Sequence, residues 1–428
     1  MISTSLIVLL IVFVVLCVIG FPIAKALAMS ACVAVLAVMR VPMTVIVEKL
    51  QLGADSYLLM AVPLFILAAN IMNASGVSRR IFGFARSIVG SFYGALAHAN
   101  VLASVVFAGI SGSAIADSAS LGKIELQAME EQGYPTDYSA AVTCASATIG
   151  PIFPPSIPLV LYAGIASESV GKLFLGGVIP GLMIAAALMV QIAFIAKKNG
   201  FPRDGKKTFL QILISFKESF LAILTPVIIL CGICFGWFTP TESASITVLY
   251  ALILGFFVFK ELKLSMIPGI LKDTLVTSGV VLLIISAASA FSWVLTVGQL
   301  GASITAFAAS VPNKYLFLLA INLVLLLLGM VMESTAILTV ITPFLIPVVR
   351  AFGIDLVHFG VMLVLNLMIG MSTPPFGMGL FTVSQVADIP IERSVKAILP
   401  FLPVMFIVLI LVTYIPGFVT MLPNLLMK

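Results

Sequence analysis

Residues 227–235, 248–259 and 316–328 are apolar on nearly all sides, with no polar face. A surface helix of a water-soluble domain carries one apolar stripe and one polar face, so runs like these need protein or lipid all round. The chain as a whole has the same character: 61% of its residues are hydrophobic and 9% charged, where a soluble domain carries about 25% charged residues. No water-facing surface can be built from so little charge, and the bilayer must be the solvent for most of the exterior. Backbone groups in hydrocarbon must bond to one another, which leaves helices or a closed barrel. Barrel strands alternate polar and apolar residues, whereas these runs do not. The expected fold class is an all-α polytopic membrane protein.

Apolar runs and their breakers place spans at 2–20, 22–39, 57–74, 137–167, 173–196, 219–238, 244–259, 274–297, 355–388 and 398–422. The first has no basic start and no clear small-residue cleavage site, and reads as a retained helix rather than a signal peptide. Glycine and proline interrupt 137–167 and 355–388, the pattern of broken helices. Two stretches, 88–132 and 314–350, are too long for one helix and carry a polar break near the middle. Each reads as a re-entrant hairpin that enters and leaves on one side. The mixed segments 42–56 and 262–273 read as amphipathic helices lying at the interface. Five cysteines are scattered through apolar stretches. Cys231 and Cys234 form a C-x-x-C, but with no histidine or second pair nearby they read as small buried residues rather than a metal or redox site.

Basic residues set orientation in a membrane chain, and nothing in their distribution suggests nucleic acid. The polar stretch 197–217 holds six of them and is assigned to the cytoplasm. Counting crossings from there puts 16 of the 22 lysines and arginines on the cytoplasmic side, leaving Arg40, Lys49, Lys172, Lys314, Arg350 and Lys428 outside. Both termini then lie on the far side.

The chain matches itself at an offset of 220 residues. Gly109 pairs with Gly329, Gly133 with Gly353, Ile149-Gly150 with Ile369-Gly370, and Pro154-Pro155 with Pro374-Pro375. Five crossings, an odd number, separate the two hairpins, so the second enters from the opposite face, as in the inverted repeats of transporters. The repeat divides the chain into N-terminal scaffold helices (1–40), a first repeat (41–198), a cytoplasmic loop with linking helices (199–261) and a second repeat (262–428).

Each hairpin tip is expected to meet a broken helix near the midplane. Proline supplies no N–H, so carbonyls one turn earlier lose their partner and are left free to face a cavity. With the hydroxyls of Ser111, Ser113 and Thr373 they make a set of neutral oxygens suited to Na⁺, while the imidazoles and thiolates a transition metal wants are absent from these stretches. Open helix N-termini favour an anionic substrate. Asp117 and Glu333 sit at or beside the tips, and each reads either as a substrate or ion contact or as a brace for its tip. No clustered His/Glu or Ser/His set suggests an enzyme, and the polar groups gather at two breaks rather than along a channel.

The segments GISGSAIAD (109–117), GPIFPPSIP (150–158), GWFTPTESA (236–244) and GMSTPPFG (370–377) resemble the large membrane subunit of tripartite ATP-independent periplasmic (TRAP) transporters, and the resemblance spans nearly the whole chain. It implies Na⁺-driven import of an organic acid, either sialic acid or a C4-dicarboxylate, across the bacterial inner membrane. It also implies an inverted-repeat elevator fold, with a small four-helix membrane subunit and a periplasmic substrate-binding protein as partners, and no cofactor besides the coupling ion. By motif, one Na⁺ site falls on Ser111, Ser113, Gly150, Phe153 and Pro155, and a second on Gly329, Gly370, Thr373 and Phe376. Substrate falls near Ser113, Asp117, Glu333 and Ser334. A self-sufficient dicarboxylate–sodium symporter is the alternative, but such carriers use Ser-Asn-Thr at the hairpin tips and this chain has no such tripeptide.

Overall fold

The computed structural model of the chain describes residues 4–39, 41–205, 207–299 and 313–427. Arg40, Lys206 and Lys428 of the charge count, and the first two residues of the span 2–20, lie outside the described residues. Every described regular element is helical.

Helices α1 (Thr4–Val18), α2 (Ile23–Ala34, continuing to Met39) and α3 (Thr44–Ala54) lead into α4 (Ala61–Ala74, entered through a tight turn from Tyr57). Helix α5 (Val77–Val89) follows, begun by Gly76 in the left-handed region. The first hairpin is α6 (Ala95–Ser111) and α7 (Ala114–Glu131), and α8 (Thr136–Ala147) and α9 (Ile157–Ala166) are the halves of the first broken helix. Long helices α10 (Val170–Asn199), α11 (Phe209–Cys234), α12 (Pro240–Ile253) and α13 (Ile267–Val297) lead to the second unit. There α14 (Lys314–Gly329) and α15 (Ser334–Ala351) form the hairpin, and α16 (Leu356–Met371) and α17 (Met378–Val386) the broken helix. Helices α18 (Ile391–Ile398), α19 (Leu402–Tyr414) and α20 (Gly417–Leu426) close the chain.

The 220-residue offset maps elements as well as motifs. Helix α7, shifted by 220, falls on α15 from first residue to last, and α8 and α16 begin at equivalent positions. The packing follows the same operation: α15 lies against α9, and its equivalent α7 lies against α17, the equivalent of α9. Each hairpin thus grips the broken helix of the other unit as well as its own.

Lipid is as apolar as leucine, so packing between membrane helices rests on close approach of small residues. The buried faces of α6 and α8 are accordingly built of alanine, with Ala97, Ala99, Ala103 and Ala108 on one and Ala140, Ala141 and Ala145 on the other. A second, smaller core gathers Leu6, Leu27, Ile46 and Phe291 where α1, α2, α3 and α13 meet. Among the described residues six helices are long and apolar enough to cross a membrane, or seven if the pair α18 and α19, bent by 57°, counts as one.

Four segmental expectations are corrected. The expected interface helix 262–273 is not separate from the span 274–297: Pro268 stands in the first turn, where a missing N–H costs nothing, and α13 runs unbroken for 31 residues through Gly279. The hairpin starts at Ala95 rather than at 88, because Gly94 in the left-handed region ends the loop that follows α5. The span expected at 219–238 starts earlier, because a capping box of Thr208 and Gln211 begins α11 at Phe209. The span 398–422 is two helices, interrupted at Ile415-Pro416.

Candidate functional site

Both broken helices are interrupted where the prolines stand. Residues 148–156 separate α8 from α9, residues 372–377 separate α16 from α17, and Pro154-Pro155 and Pro374-Pro375 are both cis. In the first break Ser156 caps α9, accepting from the Leu159 N–H at 3.2 Å while its hydroxyl donates to the Pro151 carbonyl. The first hairpin tip leans on this break. Gly112 has φ +59°, and a Cβ there would stand 2.6 Å from the Pro155 carbonyl oxygen, so only glycine fits, on both counts.

Ser111 donates to Asp117 Oδ1, and Ser113 caps α7 by accepting from the Ala116 N–H at 3.4 Å. Asp117 is buried, and its other oxygen faces Gly150, where a Cβ would meet it at 2.4 Å. The tip therefore meets the break at two points, Asp117 beside Gly150 and Gly112 beside Pro155, and the Asp117 oxygen that faces Gly150 has no hydrogen-bond partner among the described residues. Phe153 packs on Gly181 of α10.

In the second unit Gly329 and Gly370 cross backbone to backbone: a Cβ on Gly370 would lie 2.9 Å from the Gly329 Cα. Thr373, one turn on, donates its hydroxyl to the Ile369 carbonyl at 2.7 Å. Phe376 has an exposed side chain. Glu333 caps α15: Oε2 accepts from the Ala336 N–H at 3.0 Å and Oε1 from the Thr335 hydroxyl at 2.7 Å. Beside it the Ser334 hydroxyl is buried with no partner among the described residues.

The two tips open onto one cavity of about 630 Å³, within the range of small-molecule sites. Ser111 and Ser113 line it from the first tip and Glu333 and Ser334 from the second; Asp117, Gly150, Phe153, Pro155, Gly329, Gly370, Thr373 and Phe376 do not line it. The first turns of α7, α9 and α15 all border it, presenting positive helix ends. Glu333 is its sole ionisable lining side chain among the described residues. The far wall is α4 and α13, with Asn70, Asn73 and Thr277. Sequence reasoning missed this wall. Its one signal was a pair of amides inside an apolar span, where polar groups are costly without a role.

This architecture is that of a polytopic helical membrane transporter. The chain is similar to the crystal structure of the YdaH transporter of Alcanivorax borkumensis, with a TM-score of 0.65 and 15% identity over 88% of each chain. In sequence it is 46% identical over 374 residues to the sialic acid TRAP transporter large permease protein SiaM of Vibrio cholerae, covering 87% of this chain and 88% of that one. It is 38% identical over 377 residues to the C4-dicarboxylate TRAP transporter large permease protein DctM of Pseudomonas aeruginosa, covering 88% of each. The family model of the DctM component of tripartite ATP-independent periplasmic transporters matches residues 10–418, and the chain belongs to that family. It is a transporter permease and not an enzyme.

Proposed function

We propose that the chain is the Na⁺-coupled permease that carries an organic acid into the cell across the bacterial inner membrane, with both termini periplasmic. The observation that supports this reading is that two hairpin tips and two proline-broken helices border one cavity. Backbone carbonyls released at the breaks, with the hydroxyls of Ser111, Ser113 and Thr373, supply hard neutral oxygens for a monovalent cation. One Na⁺ sits between the first tip and the first break, at Ser111, Ser113, Gly150, Phe153 and Pro155. A second sits at Gly329, Gly370, Thr373 and Phe376, with Phe153 and Phe376 contributing main chain. Substrate lies between them against Ser113 and Ser334, its carboxylate facing the positive ends of α7 and α15. Asp117 holds the first tip in shape from outside the cavity, and Glu333 caps α15 at the cavity wall.

The hairpins and broken helices move as a body against α1–α5 and α11–α13, an elevator in which the hairpins are re-entrant. Delivery by a periplasmic binding protein and attachment to a small four-helix membrane subunit complete the transporter. Sialic acid is the favoured substrate over a C4-dicarboxylate, since the relative named for it is 46% identical against 38%.

Thermal denaturation of the purified permease in NaCl against KCl and choline chloride tests the cation sites. A ligand that binds only the folded state raises its stability. The melting midpoint is expected to rise with Na⁺ and not with the other two cations; equal midpoints in all three salts would overturn the assignment.

A further inference from the structure

The α4–α13 wall of the cavity carries its own hydrogen-bonding pattern. Asn70 Nδ2 donates to Thr274 Oγ1 at 2.9 Å. The single hydroxyl proton of Thr274 is committed to the Ile270 carbonyl at 2.8 Å, so Thr274 can only accept from Asn70. That fixes the amide: Nδ2 faces α13, and Oδ1 is left with no protein donor among the described residues, on a side chain that lines the cavity. Three residues on, one turn along the same face, Asn73 accepts from the Ser78 hydroxyl at Oδ1 at 2.9 Å, which leaves its Nδ2 to donate. The wall thus presents one acceptor and one donor about a helical turn apart, each oriented from behind.

The remaining lining limits what they meet. Among the described residues no lysine, arginine or histidine lines the cavity, and the one carboxylate that does, Glu333, is at the opposite tip. A four-carbon dicarboxylate would bring two negative charges to a site with one carboxylate and no cationic side chain, while the Asn70 oxygen would be left without a proton. A monocarboxylate with several hydroxyls or an amide N–H places its one charge at the helix ends and gives Asn70 and Asn73 their partners.

We propose that Asn70 is a specificity-determining residue of the substrate site, accepting a hydrogen bond from a hydroxyl or amide N–H of a polyhydroxylated monocarboxylate, and that the wall it belongs to selects this class over short dicarboxylates. The inference deepens the transport reading above and rests on it. One neutral hydrogen bond is worth roughly a factor of ten in affinity.

The test is binding of radiolabelled N-acetylneuraminate and succinate to the purified full-length permease in Na⁺. Wild-type protein is expected to prefer N-acetylneuraminate. Asn70→Leu, which keeps the shape and removes the acceptor, is expected to raise its Kd about tenfold and to reduce the preference over succinate by the same factor. Unchanged N-acetylneuraminate affinity in Asn70→Leu, or a wild-type preference for succinate, would overturn the inference while leaving transport intact. Absence of binding of either acid to wild type would instead count against the transport reading. Should Asn70→Leu not yield monodisperse protein, deoxy analogues of N-acetylneuraminate on wild type read the same bond. One analogue must bind about tenfold more weakly, and equal affinity across the series would overturn the proposal.

Discussion

Asn366 of α16 donates through Nδ2 to both the main-chain oxygen and Oδ1 of Asn322 on α14, at 3.0 and 2.6 Å. Its counterpart 220 residues earlier is Ser146 of α8, which donates to Asn100 of α6 at 2.6 Å. In each unit a buried asparagine on the first hairpin helix ties that helix to the broken helix, just ahead of the break. The tie holds the tip and the break in register, which any ion site made from both requires.

Asn366→Leu is therefore expected to leave the Asn322 carboxamide short of a partner in the core, at a cost of about 1–3 kcal/mol. The melting midpoint should fall, and Asn322→Leu should cost less on the Asn366→Leu background than on wild type. Additive losses in that double-mutant cycle would contradict the tie.

Much of this was legible in the sequence, for physical reasons that can be named. Pro154-Pro155 and Pro374-Pro375 announce their breaks because proline removes the N–H a helix needs, and the equal spacing of glycines and prolines exposed the repeat. Helix α5 was missed because Arg79, Arg80 and Arg86 interrupt its apolar residues, and an amphipathic stretch of that length does not stand out beside long apolar runs. The single span read across 398–422 hid the interruption at Pro416, since an apolar run on both sides masks a lone proline. The cavity wall at Asn70 and Thr277 depends on α4 and α13 being neighbours, a contact between residues far apart in sequence that no local pattern encodes.

The Gly329–Gly370 crossing has backbone on both sides, so nothing there can swing aside. Gly370→Ala places a Cβ within 2.9 Å of the Gly329 Cα, and overpacking of this kind costs about 1–3 kcal/mol. Na⁺-dependent stabilisation is expected to be lost along with part of the folding stability. Gly133→Ala, at a loop glycine with φ +79° and open space around it, should lose some stability while keeping the response to Na⁺. Full Na⁺ response in Gly370→Ala would contradict the placement of the second ion site.

Thr373→Ala removes from the second break a buried hydroxyl that donates to the Ile369 carbonyl. Na⁺-dependent uptake should weaken while expression is preserved, and Thr373→Ser should restore it. Wild-type Na⁺ dependence in Thr373→Ala would remove Thr373 from the site.

On the side assigned to the cytoplasm, the loop between α10 and α11 is pinned by Asp204, which accepts from Arg86 of α5 through both Nε and Nη2 and from Gln132 at the end of α7 at 2.6 Å. The hydrogen bonds from Arg86, opposed by burial, hold the Asp204 carboxyl below its ordinary value. A carboxylate of depressed pKa stabilises the fold above its unfolded value near 3.9, and that contribution disappears as pH falls through the lower folded value. Arg86 is 41% exposed, so screening limits the pair to the order of 1 kcal/mol. The difference in melting midpoint between wild type and Asp204→Asn should hold steady from about pH 8 to 5 and shrink below about pH 4. A gap that widened in acid would contradict this sign.

Uptake by the complete transporter in liposomes, with the binding protein supplied outside and the Na⁺ gradient set independently of the membrane potential, tests the central claim most directly. Accumulation of N-acetylneuraminate is expected when Na⁺ is high outside, and it should collapse when Na⁺ is equal on both sides. Uptake that persists undiminished with no Na⁺ gradient would contradict an ion-coupled carrier built from these two units.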